Sequence, residues 1–233
     1  MNAETEPFPV PSFKLRYAQC GKINPTVTLT INDDRVWYDE ARKLEQISHR
    51  VADVCKSGQS ILLLSHFESA LVVLAKLLRE KGIDHQRSQV SLASRLAGGL
   101  SRVWLSDARS FHTINQITSS NEKAPLEIIV AEHHPMRSRD QEVIDAAGHL
   151  ASDATLTFYF SLDDPLMKFF GSDSIKGLLE RLGMEKDECI SHPLVSRAIR
   201  QAQEKIEKRV GRDMAAQSAE DWFRYNLPGK KEN

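Results

Sequence analysis

The chain has 233 residues, 41% of them hydrophobic and 27% charged, the profile of a globular protein with one large domain or one domain plus an appendage. Its 31 Lys and Arg against 32 Asp and Glu leave a formal net charge of -1, which excludes a polybasic nucleic-acid binder but not a local basic face. No apolar run is long enough for a membrane span, the acidic, Pro-rich start lacks the marks of a secretory signal, and Cys20, Cys55 and Cys189 are spaced like reduced thiols in a cytosolic setting.

Residues 1–35 read as an irregular arm, because Pro7, Pro9 and Pro11 each fix φ and remove an N–H. Within it Thr26–Ile31 alternates polar and apolar β-formers and predicts a short strand, and Asn32-Asp33-Asp34 supplies turn chemistry. From Tyr38 to Lys56 the spacing of Leu44, Ile47, Val51 and Val54 predicts an amphipathic helix closed at Gly58. Ser60–Ser65 is a short run without alternation, the pattern of a strand buried on both faces of a parallel sheet. A second helix over 67–81 ends at Gly82, and the segment from Ile83 completes a β-α-β unit, whose parallel pairing needs a helical crossover.

Farther along, Arg102–Ser106, Leu126–Ala131 and Leu156–Ser161 read as strands, 118–124 as a polar loop and 135–151 as a helix. Strands alternating with helices predict a three-layer α/β domain with a mostly parallel sheet. After residue 162 the pattern turns helical, over 163–169, 172–182 and a long stretch from Pro193. In that last helix Leu194, Val195, Ala198, Ile199, Ala202, Ile206 and Val210 trace an apolar stripe opposite Arg197, Arg200, Lys205, Lys208 and Arg209. The closing residues 227–233 read as a polar tail.

Candidate chemistry is sparse. The phosphate-loop pattern G-x-x-x-x-G-K-S/T is absent: Gly21-Lys22 lacks the upstream glycine and the hydroxyl, and Gly98-Gly99 stands alone, so both read as turns. The pair His133-His134 diverges in direction on any regular element and reads as an exposed pair at the sheet edge, not as metal ligands. No cysteine sits in a sequence that marks an activated nucleophile. Arg137 and Arg139, just past a strand, are of the type that meets phosphate by bidentate geometry, although solvated surface is the simpler expectation. No catalytic and no metal-ligating residue is assigned.

One block carries a resemblance. Residues 132–171, beginning Glu-His-His-Pro-Met-Arg-Ser-Arg-Asp and closing on Ser161-Leu-Asp-Asp-Pro-Leu-Met-Lys-Phe-Phe-Gly171, resemble the end of the second nucleotide-binding lobe of the SecA family of protein-exporting ATPases. Downstream, His192-Pro-Leu-Val-Ser-Arg-Ala-Ile-Arg-Gln-Ala-Gln-Glu-Lys-Ile resembles the start of that family's helical scaffold, and upstream Lys56-Ser-Gly-Gln-Ser-Ile-Leu resembles its K-G-Q-P-V-L. The similarity spans about residues 36–210. It departs at the chemistry: in an ungapped register the family's three motif arginines fall on Ile144, Ala146 and His149, and the G-R-G-T-D motif has no counterpart around Asp107.

The resemblance implies a RecA-like, P-loop NTPase-type α/β fold, with a second-motor-lobe domain over 36–170 and a scaffold-like helical segment over 171–226. Phosphoryl transfer needs a backbone cradle, Mg²⁺ ligands and an arginine finger. The sequence offers none of these, so no autonomous ATPase site is expected, and ATP or ADP would bind only weakly or with a partner lobe. The expectation is a binding or regulatory module for a translocase motor or translocon, cytoplasmic with contact at the inner membrane face, and with self-association open. The stripe residues Val195, Ile199, Ala202 and Ile206 would meet the partner. The alternatives are a half-site completing an ATP site in trans through Arg137 and Arg139, or a RecA-like fold repurposed for another small ligand.

Overall fold

A computed structural model describes residues 13–16, 28–87, 103–112, 125–150, 153–170, 176, 185 and 188–227. The expected turns at Gly21 and at Gly98-Gly99, the loop over 118–124, most of the helical stretch over 172–182, Cys20 and the tail beyond 227 lie outside these residues.

The strands are β1 (Phe13–Arg16), β2 (Thr28–Ile31), β3 (Arg35–Trp37), β4 (Ser60–Ser65), β5 (Gln86–Arg87), β6 (Val103–Asp107), β7 (Leu126–Val130) and β8 (Ala154–Ser161). The helices are α1 (Glu40–Ser57), α2 (Glu68–Glu80), α3 (Ala108–His112), α4 (Arg137–Gly148), α5 (Pro165–Phe169), α6 (Pro193–Glu207) and α7 (Ala219–Asn226). The sheet runs β1-β2-β8-β7-β4-β6-β5, with β3 beside the second half of β8, and every pairing is parallel except β1 with β2.

Strand β4 shows why its sequence carries no alternation. Ile61 and Leu63 point into a core formed with α1 and α2, whereas Leu62 and Leu64 point into the opposite core with Phe111 of α3 and Val143 and Ala147 of α4. A strand covered on both faces by crossover helices is apolar at every position. Helix α1 starts at Asp39, whose carboxylate accepts from Arg42 N at 2.8 Å, and stops at Gly58, which sits at φ 77° where a side chain would be strained.

A third core closes the carboxyl end of the sheet, where Val36, Phe67, Phe160, Leu162 and Leu166 meet Ile199 and Ile206 of α6 and Trp222 of α7. Two parts of this closure were not read from the sequence, the three-residue strand β3 and the eight-residue helix α7. The first is too short to display a period. The second hides its apolar content in the single pair Trp222-Phe223 among charged residues, and is held by tertiary contact: Ser69 N, in the first turn of α2, donates to Gln217 O at 3.0 Å.

Candidate functional site

From β4 the chain moves toward one edge through β5 and β6, whereas β7 and β8 lie on the other side, so β4 and β7 are neighbours at a topological switch point. Open α/β sheets bind ligands in the crevice beyond the strand ends at such points. Here that position holds a side chain of the chain itself. Glu132, just past β7, accepts through Oε1 from His66 N at 2.8 Å, from Phe67 N at 3.2 Å and from the Ser65 hydroxyl. These amides lead into α2, whose capping residue Phe67 offers no side-chain acceptor of its own, so the carboxylate takes the place of an anion at the helix start. Burial raises the Glu132 pKa, and Lys43 and the Ser65 hydroxyl work against that shift. Lys43 is itself buried, 3.0 Å from Asp164 and 2.7 Å from Glu40. Burial disfavours its charge, but Asp164 and Glu40 outweigh that cost and hold its pKa above the ordinary lysine value.

Beside Glu132 lies a buried polar network centred on Asp140, which is 0% exposed. His133 Nδ1 donates to Asp140 Oδ2 at 2.6 Å, Gln203 Nε2 donates to the same oxygen at 2.5 Å, and His134 N donates to Oδ1 at 3.0 Å. His66 Nε2 also stands 2.9 Å from Oδ1. Burial would raise the Asp140 pKa, but the His133 imidazolium and these donors hold it well below the usual carboxylate range. Burial likewise opposes charge on His133, yet Asp34 (3.4 Å from Nε2) and Asp140 push its pKa up to about 10. His134 behaves in the opposite way: burial and the neighbouring His66 lower it to about 3, and its neutral Nδ1 accepts from Met136 N at 3.0 Å. The two adjacent histidines are thus one cation and one neutral ring. Both are buried, not the exposed sheet-edge pair expected from the sequence, because Phe158 stacks on His133 and Phe67 on His134.

A cavity of about 340 Å³ opens on the far side of His133. Its origin is a break in the ladder beside β8. Leu29–Ile31 pair with Ala154–Leu156 and Arg35–Trp37 with Tyr159–Ser161, so Asn32-Asp33-Asp34 oppose only Thr157-Phe158 and loop outward. Asn32 Nδ2 donates to Thr157 Oγ1 at 2.9 Å and Asp34 N donates to Ser196 Oγ at 3.0 Å, which fixes the loop over Phe158. Arg137, Gln141 and Ile144 line one wall from successive turns of α4, and Ser196, Arg200 and Gln203 line the other from α6.

The two arginines singled out in the sequence separate here. Arg137 lines the cavity and donates to Gln141 Oε1 at 3.0 Å, whereas Arg139 turns away into ion pairs with Asp213 at 2.5 Å and Glu142 at 3.0 Å. Residues two apart on a helix do not share a face. Of the stripe on α6, Ile199 and Ile206 are in the core, and Val195 packs against it. Ala202 is half-buried, and Leu194 and Ala198 face outward. The line buried along the helix is therefore Ile199, Gln203, Ile206, with a polar residue at its centre. Asp140 and Gln203 gave no sequence signal, since each looks like an ordinary polar residue on a helix. At the positions where the resemblance to SecA places arginines, Ile144 is buried, Ala146 half-buried and His149 exposed. Among the described residues no group of three or more His, Cys, Asp or Glu is arranged to hold a metal, and no helix is long and apolar enough to cross a membrane.

The layered parallel sheet with its helical closure defines the class, a RecA-like α/β domain of the P-loop NTPase type. The comparisons narrow it. The family described as SecA P-loop domain matches residues 105–187. Protein translocase subunit SecA of Nitratidesulfovibrio vulgaris (strain DSM 19637 / Miyazaki F) is 29% identical over 193 residues, covering 75% of this chain and 22% of that protein. The SecA of Solidesulfovibrio magneticus is 30% identical over 182 residues, again 75% of this chain and 22% of the relative, and the SecA of Caldicellulosiruptor saccharolyticus is 29% identical over 195 residues. The chain thus spans about a fifth of the length of these relatives. Among solved structures, the C-terminal part of the Fun30 ATPase domain matches with a TM-score of 0.41 and 12% identity, over 70% of this chain and 54% of that one. The relationship to SecA expected from residues 132–171 therefore stands: the chain carries a SecA-family segment.

Proposed function

We propose that this chain is a binding or regulatory module linked to protein translocation, without an autonomous ATPase site. The observation that carries the proposal is the Glu132 carboxylate on the amides of His66 and Phe67. An anion placed there by the fold itself competes with any phosphate at the switch point. The replacement of the family's motif arginines by Ile144, Ala146 and His149 supports the same reading, because none of these side chains offers the bidentate guanidinium that an arginine finger brings to phosphoryl transfer. The burial of Ile199 and Ile206 within the chain redirects the expected partner contact from the apolar stripe of α6 to its exposed basic face, Arg197, Lys205 and Lys208.

The translocase link is tested by mixing the purified chain with the SecA motor of its own cells and measuring association by analytical ultracentrifugation. The proposal expects a complex that weakens as salt is raised and is reduced by charge reversal at Arg197 and Lys205. Absence of any complex at micromolar concentrations of folded chain would remove the link. The half-site alternative rests on Arg137 and Arg139 reaching a partner's phosphate together. The engagement of Arg139 by Asp213 and Glu142 speaks against it.

A further inference from the structure

The cavity between α4 and α6 has a chemistry that neither the switch point nor the SecA relationship explains. Gln203 is 0% exposed, and its Nε2 is held by two acceptors, Asp140 Oδ2 at 2.5 Å and His134 O at 2.7 Å. The amide is therefore held in this orientation, and Oε1 is left buried with no hydrogen-bond donor, on a residue that lines the cavity. Asp33 Oδ2, on the looped-out segment, is a second buried acceptor without a partner, and burial raises the pKa of this carboxyl group. Leaving a buried acceptor unsatisfied costs about 1–3 kcal/mol, and both of these acceptors belong to residues that line the same cavity.

The same space holds unspent positive charge. Arg137 donates only to the neutral Gln141 amide, and no described residue forms an ion pair with Arg137 or Arg200. Arg200 and Gln203 are one turn apart on α6, and Arg137 faces them from α4, so guanidinium groups and unsatisfied acceptors border a single volume. Phe158 and Ile144 supply the apolar part of the lining. Small-ligand pockets combine such walls with a few placed polar groups, and about 340 Å³ lies at the lower end of their size range.

We propose that this cavity is a binding site for a small aminated anion, a molecule whose N–H donors satisfy Asp33 and Gln203 while its carboxylate or phosphate group is held by Arg137 and Arg200. The site does not depend on the translocase link, since all its groups belong to this chain.

The test uses the full chain and calorimetric titration with two sets of probes. One set consists of amino acids (glycine, serine, lysine) and the other of amino phosphates (phosphoethanolamine, phosphoserine). Ethylamine, acetate and inorganic phosphate are the single-function controls. A two-function probe from at least one set is expected to bind at least about tenfold more tightly than any control, and the set that binds identifies the anion. Arg200→Ala, an exposed position whose loss leaves the core intact, should weaken that binding about tenfold or more, and Asp33→Asn should weaken it while retaining folding. No binding by any two-function probe at about 10 mM to folded wild-type chain would overturn the proposal. So would unchanged affinity in Arg200→Ala, or inorganic phosphate binding as well as the aminated probes.

Discussion

Two neighbouring histidines are held in opposite protonation states by their surroundings. His133 is charged because Asp34 and Asp140 overcome its burial, and His134 is neutral because burial and His66 disfavour a second cation. The consequences for stability have opposite signs. A pKa raised to about 10 contributes stability fully present below the unfolded value of about 6.5, and that contribution is lost as the pH rises toward 10. A pKa lowered to about 3 contributes stability present above about 6.5 and lost as the pH falls toward 3. Urea midpoints measured between pH 4 and pH 10 should therefore peak near neutrality and decline on both sides; a midpoint that stays level from neutral to alkaline pH would contradict the charged state of His133. Asp140→Asn should cost about 3–5 kcal/mol, because it strands a buried cation. A loss under about 1 kcal/mol would place the weight of the network elsewhere. None of this was legible in the sequence. His133-His134 follows a strand as a surface pair would, and Asp140 has the look of a first-turn helix acid; only the fold makes Asp140 a shared acceptor for His133, His134 and Gln203.

Elements covered on both faces were the easiest to read. Strands β4 and β7 declare themselves by continuous apolarity, and α1 by its spacing and its Gly58 stop. Elements that exist by virtue of contact were not legible: β3 is three residues long and needs β8 to be a strand, and α7 needs Trp222 in the third core. The stripe of α6 was half legible. Its apolar residues are as the sequence shows them, but the buried line passes through Gln203, and Ile199 and Ile206 lie in the chain's own core. Accordingly Ile206→Ala should destabilise the protein by about 2–5 kcal/mol, read from denaturant unfolding, because it opens a hole among Phe160, Trp222 and Ile199. Unchanged stability would mean that α6 does not pack as described. At the helix start Asp39→Ala should cost about 1 kcal/mol by removing the acceptor for Arg42 N, and retention of full stability would show that the cap contributes nothing.

Over the whole molecule, the architecture is that of a RecA-like α/β domain related to SecA. The match to the SecA P-loop domain covers residues 105–187, which hold most of β6, all of β7 and β8, and the helices α3, α4 and α5. Glu132 sits on the α2 amides, and Ile144, Ala146 and His149 stand where the resemblance to SecA places arginines, which is what the proposed lack of an autonomous ATPase site rests on. Buried polar groups gather in the Asp140 network, beside the cavity between α4 and α6.

The most direct measurement is equilibrium binding and turnover of MgATP by the purified chain alone. The account predicts dissociation constants weaker than about 1 mM and no phosphate release above the uncatalysed rate. Micromolar binding with turnover that survives Arg137→Ala would show that the chain holds a complete ATP site of its own, and would contradict the account.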